Sequence, residues 1–309
     1  MADKSKLDEF GLIAELLAPL ADNEAADGLT DDAARVAVPQ GHELVISTDT
    51  LVAGVHFPEH GDAALVANRL LACNISDLAA KGATPFGCLL TLGVAETWGR
   101  AFVTSFVEAL GQGLKAYGLQ LWGGDTVRSQ TAFVGLTVHG LVPHGSMLTR
   151  GGAQDGDDVY VTGTIGDAFL DMPESGAAYA APTPPLAFGL GLRGLAHAAV
   201  DVSDGLLADL DHMCRASGGG MVIEAAAIPL SEAGRSHGNL AELVGAGDDL
   251  EIAFTAAQDK ADALTALAEH HGIGLTRIGS FQKAAAPQAV LRDADGADIT
   301  PQQRGFRHF

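Results

Sequence analysis

Short apolar runs alternate with longer amphipathic stretches along the whole chain, and this alternation predicts strands and helices in turn. Residues 44–47 read as a strand that runs into Thr48-Asp49-Thr50. The largely apolar stretch 62–81, interrupted by residues such as Arg69, Asn74 and Asp77, reads as a long buried helix that Gly82 stops. Residues 86–94 form a strand and 98–117 a helix closed by Gly118. Residues 119–122 form a short strand ending in a turn at Gly123-Gly124-Asp125-Thr126, and 133–142 a further strand. The polar, turn-rich segment Arg150-Gly151-Gly152-Ala153-Gln154-Asp155-Gly156-Asp157 is a natural connection. It divides the chain into an N-terminal domain, 1–150, and a C-terminal domain, 151–309. In the second, 158–162, 221–224, 250–255 and 275–280 read as strands, and 205–217 and 257–271 as helices. Residues 178–185, rich in Ala and Pro, read as an exposed loop, and Asp295-Gly296 as a hairpin turn. The whole pattern is that of an α/β or α+β protein.

Composition narrows the class. Of 309 residues 47% are hydrophobic, which is enough to bury two cores and excludes a disordered chain. No apolar run approaches the roughly 18 residues that a membrane span requires. The N-terminal stretch is charged and then amphipathic, without the apolar core of a secretory signal, and reads as the mature start of a cytoplasmic protein. Asp and Glu number 39 against 18 Lys and Arg, for a net charge of −21. That balance argues against nucleic-acid or membrane binding through a broad basic surface. A polyanionic substrate remains open where cations neutralise the field. Cys73, Cys88 and Cys214 form no CxxC pair and read as small buried hydrophobes.

The positions of the aspartates carry more than their number. Asp49 follows Leu-Val-Ile-Ser-Thr at a strand's end, and Asp77 sits inside an apolar helix. Asp125 follows Leu-Trp-Gly-Gly. Asp201 and Asp204 lie in Ala-Val-Asp-Val-Ser-Asp-Gly, and Asp248-Asp249 follow Gly-Ala-Gly. Asp31, Asp201 and Asp204 also suit helix caps or Asx turns, and Asp125 an ordinary turn. Asp77 is harder to assign to such a role, because Asp is disfavoured in an apolar helix interior. Buried carboxylates need partners, and the chain has too few cations to pair them all. Hard divalent cations bound to carboxylate and phosphate oxygens resolve the conflict, as in phosphoryl transfer. The usual phosphate loops are missing: no Walker A motif and no kinase HRD or DFG set occurs. One G-x-G-x-x-G, at Gly189, Gly191 and Gly194, follows a Pro-rich segment and not a strand. It reads as helix packing, not as a dinucleotide loop. His56 and Arg150 each stand near a glycine turn and suit a phosphate contact, although both residue types are more often structural.

Taken in order, Ile46-Ser47-Thr48-Asp49-Thr50-Leu51-Val52-Ala53-Gly54-Val55-His56-Phe57, Asn74-Ile75-Ser76-Asp77-Leu78-Ala79-Ala80-Lys81-Gly82-Ala83, Gly123-Gly124-Asp125-Thr126, Val161-Thr162-Gly163-Thr164-Ile165-Gly166-Asp167 and Asp201-Val202-Ser203-Asp204-Gly205-Leu206 resemble the motifs of thiamine-monophosphate kinases. These are members of the aminoimidazole ribonucleotide synthetase-like superfamily. The resemblance implies two α/β domains, with N-terminal sheets pairing in a homodimer around an ATP cleft. It implies ATP and thiamine monophosphate as substrates, thiamine diphosphate as product, several Mg²⁺ ions, and direct in-line transfer without a covalent nucleophile. Carried over residue by residue, it puts metal ligands at Asp32, Ser47, Thr48, Asp49, Asp77, Asp125, Asp201 and Asp204. It puts ATP contacts at Gly124, Asp125, Arg150 and Ser203, and substrate contacts at His56, Asp248 and Phe306. The chain departs from the family pattern at Gly28-Leu29-Thr30-Asp31-Asp32, where Gly-x-Gly-Asp-Asp is usual, and at Lys81, where Met is usual. It departs again at Gly247-Asp248-Asp249-Leu250-Glu251-Ile252, in place of Gly-Glu-Asp-Tyr-Glu-Leu. The competing expectations are a sister ATP-using synthetase of the same superfamily and a non-catalytic acidic cation-binding protein.

Overall fold

A computed structural model of the chain describes residues 9–307; residues 1–8 and 308–309, the first eight of the N-terminal stretch among them, lie outside it. The chain divides into two compact units. The first runs to Ile75 and includes Thr84–His144; the second comprises Ser76–Ala83 and everything from Gly145 on.

The first unit is built on a four-stranded sheet in the order β1-β4-β2-β3, with β1 at His42–Val52, β2 at Thr84–Val94, β3 at Gln120–Arg128 and β4 at Phe133–Pro143. β4 pairs antiparallel with β1 and β2, and β2 pairs parallel with β3. The period of two is visible in burial. Cys88, Leu90, Leu92, Val134, Leu136 and Val138 are buried on one face, whereas Ile46 is 59% and Leu89 37% exposed on the other. The Ala63–Ala80 helix begins where expected: Asp62 Oδ1 accepts the N–H groups of Ala64 (2.8 Å) and Leu65 (3.3 Å), satisfying two of the orphan donors of the first turn. The Arg100–Tyr117 helix buries Val103, Phe106, Leu110 and Leu114 along one stripe and ends on Gly118 at φ 67°.

One expectation fails here. Residues 119–122 were to end in a turn at Gly123-Gly124-Asp125-Thr126, yet β3 continues straight through them to Arg128. The cause is close approach to β2. A Cβ on Gly124 would lie 1.8 Å from the Leu90 carbonyl oxygen, so the glycine permits strand pairing instead of a turn.

The second unit holds a six-stranded sheet in the order β10-β7-β9-β5-β8-β6. Its strands are β5 (Asp158–Thr162), β6 (Ala198–Val202), β7 (Gly220–Glu224), β8 (Glu251–Ala256), β9 (Leu275–Gln282) and β10 (Ala289–Arg292). All neighbours are antiparallel except β10 and β7. Both faces are covered: Val159, Val161, Val200, Leu210 and Phe281 belong to one core cluster, and Tyr160, Ala199, Phe254, Phe188 and Leu264 to another. Every residue of β5 and β6 is therefore buried, Asp158, Thr162 and Asp201 included.

The Leu206–Ser217 helix ends on Gly218 at φ 66°, as its glycine run foretells. Residues 178–185 are not an exposed loop. The Ala177–Ala180 helix occupies part of them, Tyr179 is 4% exposed, and Pro184 and Pro185 are buried. β6 and the short β10 are not among the strands expected from the sequence. At Gly189, on the Leu186–Gly191 helix, a Cβ would stand 2.2 Å from the Ala79 carbonyl oxygen, so its glycine serves packing and not nucleotide binding. Among the described residues no helix is long and apolar enough to cross a membrane, and all three cysteines are free.

Candidate active site

In the first unit, Asp31, Asp32, Gly124 and Asp125 line one cavity of about 760 Å³, together with Thr91 and His139. The Asp31-Asp32 pair is held by local bonding, since Asp31 Oδ1 accepts the Asp32 N–H at 2.7 Å. Asp31 therefore caps no helix; it closes a polar turn. Strand register decides what else can share this face. Asp125 pairs with Thr91, Thr91 with Gly135 and Gly135 with Thr50. Asp49 lies one residue out of that row, with Leu136, Leu90 and Gly124. Successive side chains alternate faces, so Ser47 and Asp49 point to the face opposite Thr48 and Asp125. The Thr48 and Thr137 hydroxyls meet at 3.1 Å on the open face.

His56 folds back onto the end of β1. Its Nδ1 accepts the Val52 N–H at 3.0 Å, which in the neutral ring leaves the hydrogen on Nε2. Its carbonyl accepts from Nε of Arg69, a side chain only 2% exposed.

The second unit gathers more charge. Asp201, the last but one residue of β6, is buried; Ser76 Oγ donates to its Oδ2 at 3.1 Å. Burial, and then the charge of Asp77, push the Asp201 carboxyl up to about 6, against the opposing pull of Lys81 and Arg150. Lys81 Nζ donates to the Ala199 carbonyl at 2.9 Å. Burial holds its ammonium below the usual lysine range, with Asp201 and Asp77 opposing that effect. Sequence reading missed this lysine as a site residue, noting it only as a departure.

Three segments converge on the turn after β6. The Asp248 N–H donates to the Ser203 carbonyl and the Phe306 N–H to the Asp204 carbonyl, both at 2.8 Å. Asp248 takes the left-handed conformation, φ 62°, and at Gly247, φ 82°, a Cβ would stand 2.5 Å from the Ser203 carbonyl oxygen. The expected ATP residue Ser203, metal residue Asp204 and substrate residues Asp248 and Phe306 are thus one hydrogen-bonded assembly. Phe306, 46% exposed, lines two cavities: one of about 430 Å³ with Asp204, His212, Arg215, Arg304 and Arg307, and one of about 410 Å³ with Phe169, Met172, Ala246 and Pro301. Arg150 is exposed, and its positive charge reaches Asp201, Lys81 and His212. Asp209, which the sequence did not single out, lies beneath this assembly and is 1% exposed.

A further carboxylate group lies behind Asp248. Asp249 Oδ1 accepts the Gly166 N–H at 2.8 Å, and the Thr162 hydroxyl donates to Glu251 Oε2. Burial pushes Asp249 well above the carboxylate range and Glu251 up to about 7. A folded-state pKa raised above the unfolded one gives stability that is full below the unfolded value and is lost as pH rises through the folded value. For Glu251 that window runs from its ordinary 4.5 to about 7. Glu251→Gln keeps an acceptor for Thr162 and removes the buried charge. Its melting temperature is expected to exceed that of the natural protein at pH 8, with the gap shrinking as pH falls through the window. Parallel melting curves across this range would rule the buried charge out as the cause.

Comparison with known proteins decides the family. Residues 30–142 match the N-terminal domain, and residues 151–292 the C-terminal domain, of the AIR synthase related proteins. Over 322 aligned residues, covering 97% of this chain and 98% of the relative, the sequence is 37% identical to the thiamine-monophosphate kinase of Escherichia coli K12. The chain belongs to the thiamine-monophosphate kinase family. The crystal structure of thiamine-monophosphate kinase from Stenotrophomonas maltophilia K279a agrees: 36% identity, 94% of this chain and 97% of that one covered, and a TM-score of 0.82. AaThiL complexed with AMPPCP and TMP shares the fold, with a TM-score of 0.77 at 24% identity over 97% of each chain. The resemblance carried by the motifs is therefore borne out, and with it the two-domain α/β fold and an enzyme of the thiamine-monophosphate kinase type. A purely structural cation-binding protein is set aside.

Proposed function

We propose that this chain transfers the γ-phosphoryl group of ATP directly to the phosphate of thiamine monophosphate, giving thiamine diphosphate and ADP. The observation that carries the reading is the 37% identity across nearly the whole of both chains to the Escherichia coli kinase. The complex of AaThiL with AMPPCP and TMP supports the same pair of substrates.

Mg²⁺ is implied by the family, and the donor chemistry fits it. Burial and the charge of Asp77 raise the cost of ionising Asp201, and Lys81 and Arg150 offset this only in part. Such a pair favours a hard divalent cation. Among the described residues no three His, Cys, Asp or Glu side chains are grouped to hold an ion unaided. That suits an ion that takes one or two carboxylates and completes its shell with phosphate and water. The proposed ligands are Asp32, Thr48 and Asp125 on the open face of the first-unit sheet, Ser47 and Asp49 on its opposite face, and Asp77, Asp201 and Asp204 in the second unit, so the first-unit groups serve separate ions. When bound, the metal neutralises charge on the phosphates.

The chain's own residues supply positioning. Gly124 and Asp125 present one edge of the first-unit cavity to ATP. Arg150 offers a planar, bidentate donor to a phosphate, and the Ser203 hydroxyl a second donor. His56 offers Nε2–H to the acceptor phosphate. Asp248 and Phe306, clamped to the Ser203-Asp204 turn, hold the thiamine moiety. No side chain acts as a covalent nucleophile. Residues 1–150 are proposed as the ATP, metal and pairing domain and 151–309 as the C-terminal domain, with the segment Ser76–Ala83 and residues from Gly145 belonging to the second compact unit. The exposed Ile46, Leu89 and Val127 of the first-unit sheet form the proposed contact with a second copy in a homodimer. Neither nucleic acid nor membrane is a partner, and the proposed location is the cytoplasm.

Stereochemistry tests direct transfer. With ATP made chiral at the γ-phosphorus by oxygen isotopes, a single in-line displacement inverts configuration in thiamine diphosphate. Retention would demonstrate a phosphoenzyme and overturn the direct route.

A further inference from the structure

Three successive backbone N–H groups, those of Ser203, Asp204 and Gly205, point at one spot ahead of the Leu206–Ser217 helix. Such a concavity at a helix start commonly receives a phosphate. Here it is already filled. Asp209 Oδ2 accepts all three donors, at 3.1, 3.1 and 3.2 Å. The carboxylate is 1% exposed, and its Oδ1 is buried with no hydrogen-bond partner. A half-satisfied carboxylate is a poor way to stabilise a core, since Leu206, Leu207 and Leu210 around it are fully buried. What it does is local: it fixes the backbone of Ser203 and Asp204, and through their carbonyls the main chain of Asp248 and Phe306.

We infer that Asp209 is a positioning residue that occupies the backbone anion site of the Ser203-Asp204-Gly205 turn, so that this turn meets nucleotide and metal through side chains and not through its amides. The inference rests on the proposed roles of Ser203 and Asp204. With the amides engaged, the Ser203 hydroxyl and the Asp204 carboxylate are the groups this turn has left to offer, and their directions depend on Asp209. An acceptor oxygen of the right reach is required, not a negative charge as such. Asparagine can present one carbonyl oxygen to the same three donors; alanine presents none.

The test measures equilibrium binding of a non-hydrolysable ATP analogue with Mg²⁺, by calorimetry in the absence of thiamine monophosphate, alongside melting temperature. Asp209→Ala leaves three donors unpaired and is expected to weaken analogue binding about tenfold or more. Asp209→Asn is expected to stay within about threefold of the natural protein. Natural affinity in a folded Asp209→Ala protein, or Asn as weak as Ala, would overturn the inference. If the alanine variant does not fold, Asp209→Glu decides, because its longer side chain displaces the turn. Weakened binding supports positioning, and unchanged binding refutes it. A natural protein that fails to bind the analogue at all would instead count against the proposed ATP function.

Discussion

Asp125→Asn is expected to lower kcat by about a hundredfold or more, the usual loss when one charge-stabilising group is removed from a reaction centre, while the fold survives. Asp125 lies exposed on β3 and joins the sheet through its backbone, opposite Thr91. The amide keeps the shape and every main-chain bond; only the charge offered to metal and ATP is lost. Exposed substitutions of this kind change stability by about 0.5 kcal/mol or less. Steady-state kinetics paired with a thermal melt checks both halves. Turnover near the natural rate would remove Asp125 from the site, and a collapsed melt would show that its role is structural.

Gly124→Ala should act in the opposite way, through the fold. The added Cβ would stand 1.8 Å from the Leu90 carbonyl oxygen and within 3 Å of the Leu90 carbonyl carbon and nitrogen. These are backbone atoms of the neighbouring strand, so no side chain can swing away. β2 and β3 must part along the ladder from Leu89 to Val94. The expected cost is about 3 kcal/mol or more, in the range of severe overpacking, with a large drop in melting temperature or loss of folded protein. Gly123→Ala is the control: it shares the φ of 158° and so the same backbone strain, but its nearest atom, Leu89 Cδ2, is 3.6 Å away and belongs to a side chain that can adjust. Equal melting temperatures for the two variants would show that the strands tolerate the contact.

Much of the architecture was legible because local signals and tertiary structure agree. Asp62 caps the long helix, Gly118 and Gly218 close theirs, and β5, β7, β8 and β9 of the second unit stand where strands were expected. The failures share one cause, tertiary contacts overriding local signals. Gly-Gly-Asp-Thr carries every mark of a turn, but the approach of Leu90 makes it strand. The Ala- and Pro-rich stretch 178–185 has loop composition, yet Tyr179 and two prolines are buried. Within the site, the aspartates that follow apolar runs were visible in the sequence, although Asp49 and Asp125 lie inside β1 and β3 and not at strand ends. Their register was not, and it places Asp49 and Asp125 on opposite sheet faces. Asp209 escaped notice because an acidic residue in a first helical turn is ordinarily a surface answer to the helix dipole. Only the fold reveals that it turns back onto Ser203, Asp204 and Gly205. Lys81 stood out as a departure, and its i, i+4 spacing puts it beside Asp77, but its nearness to Asp201 became readable only with β6 in place.

The central claim is that these carboxylates and the Ser203-Asp204 assembly serve phosphoryl transfer to thiamine monophosphate. Purified protein supplied with thiamine monophosphate, ATP and Mg²⁺, with products separated by chromatography, tests it most directly. The predicted result is one thiamine diphosphate and one ADP for each thiamine monophosphate consumed, dependent on Mg²⁺. Folded protein that forms no thiamine diphosphate at any Mg²⁺ concentration would contradict it.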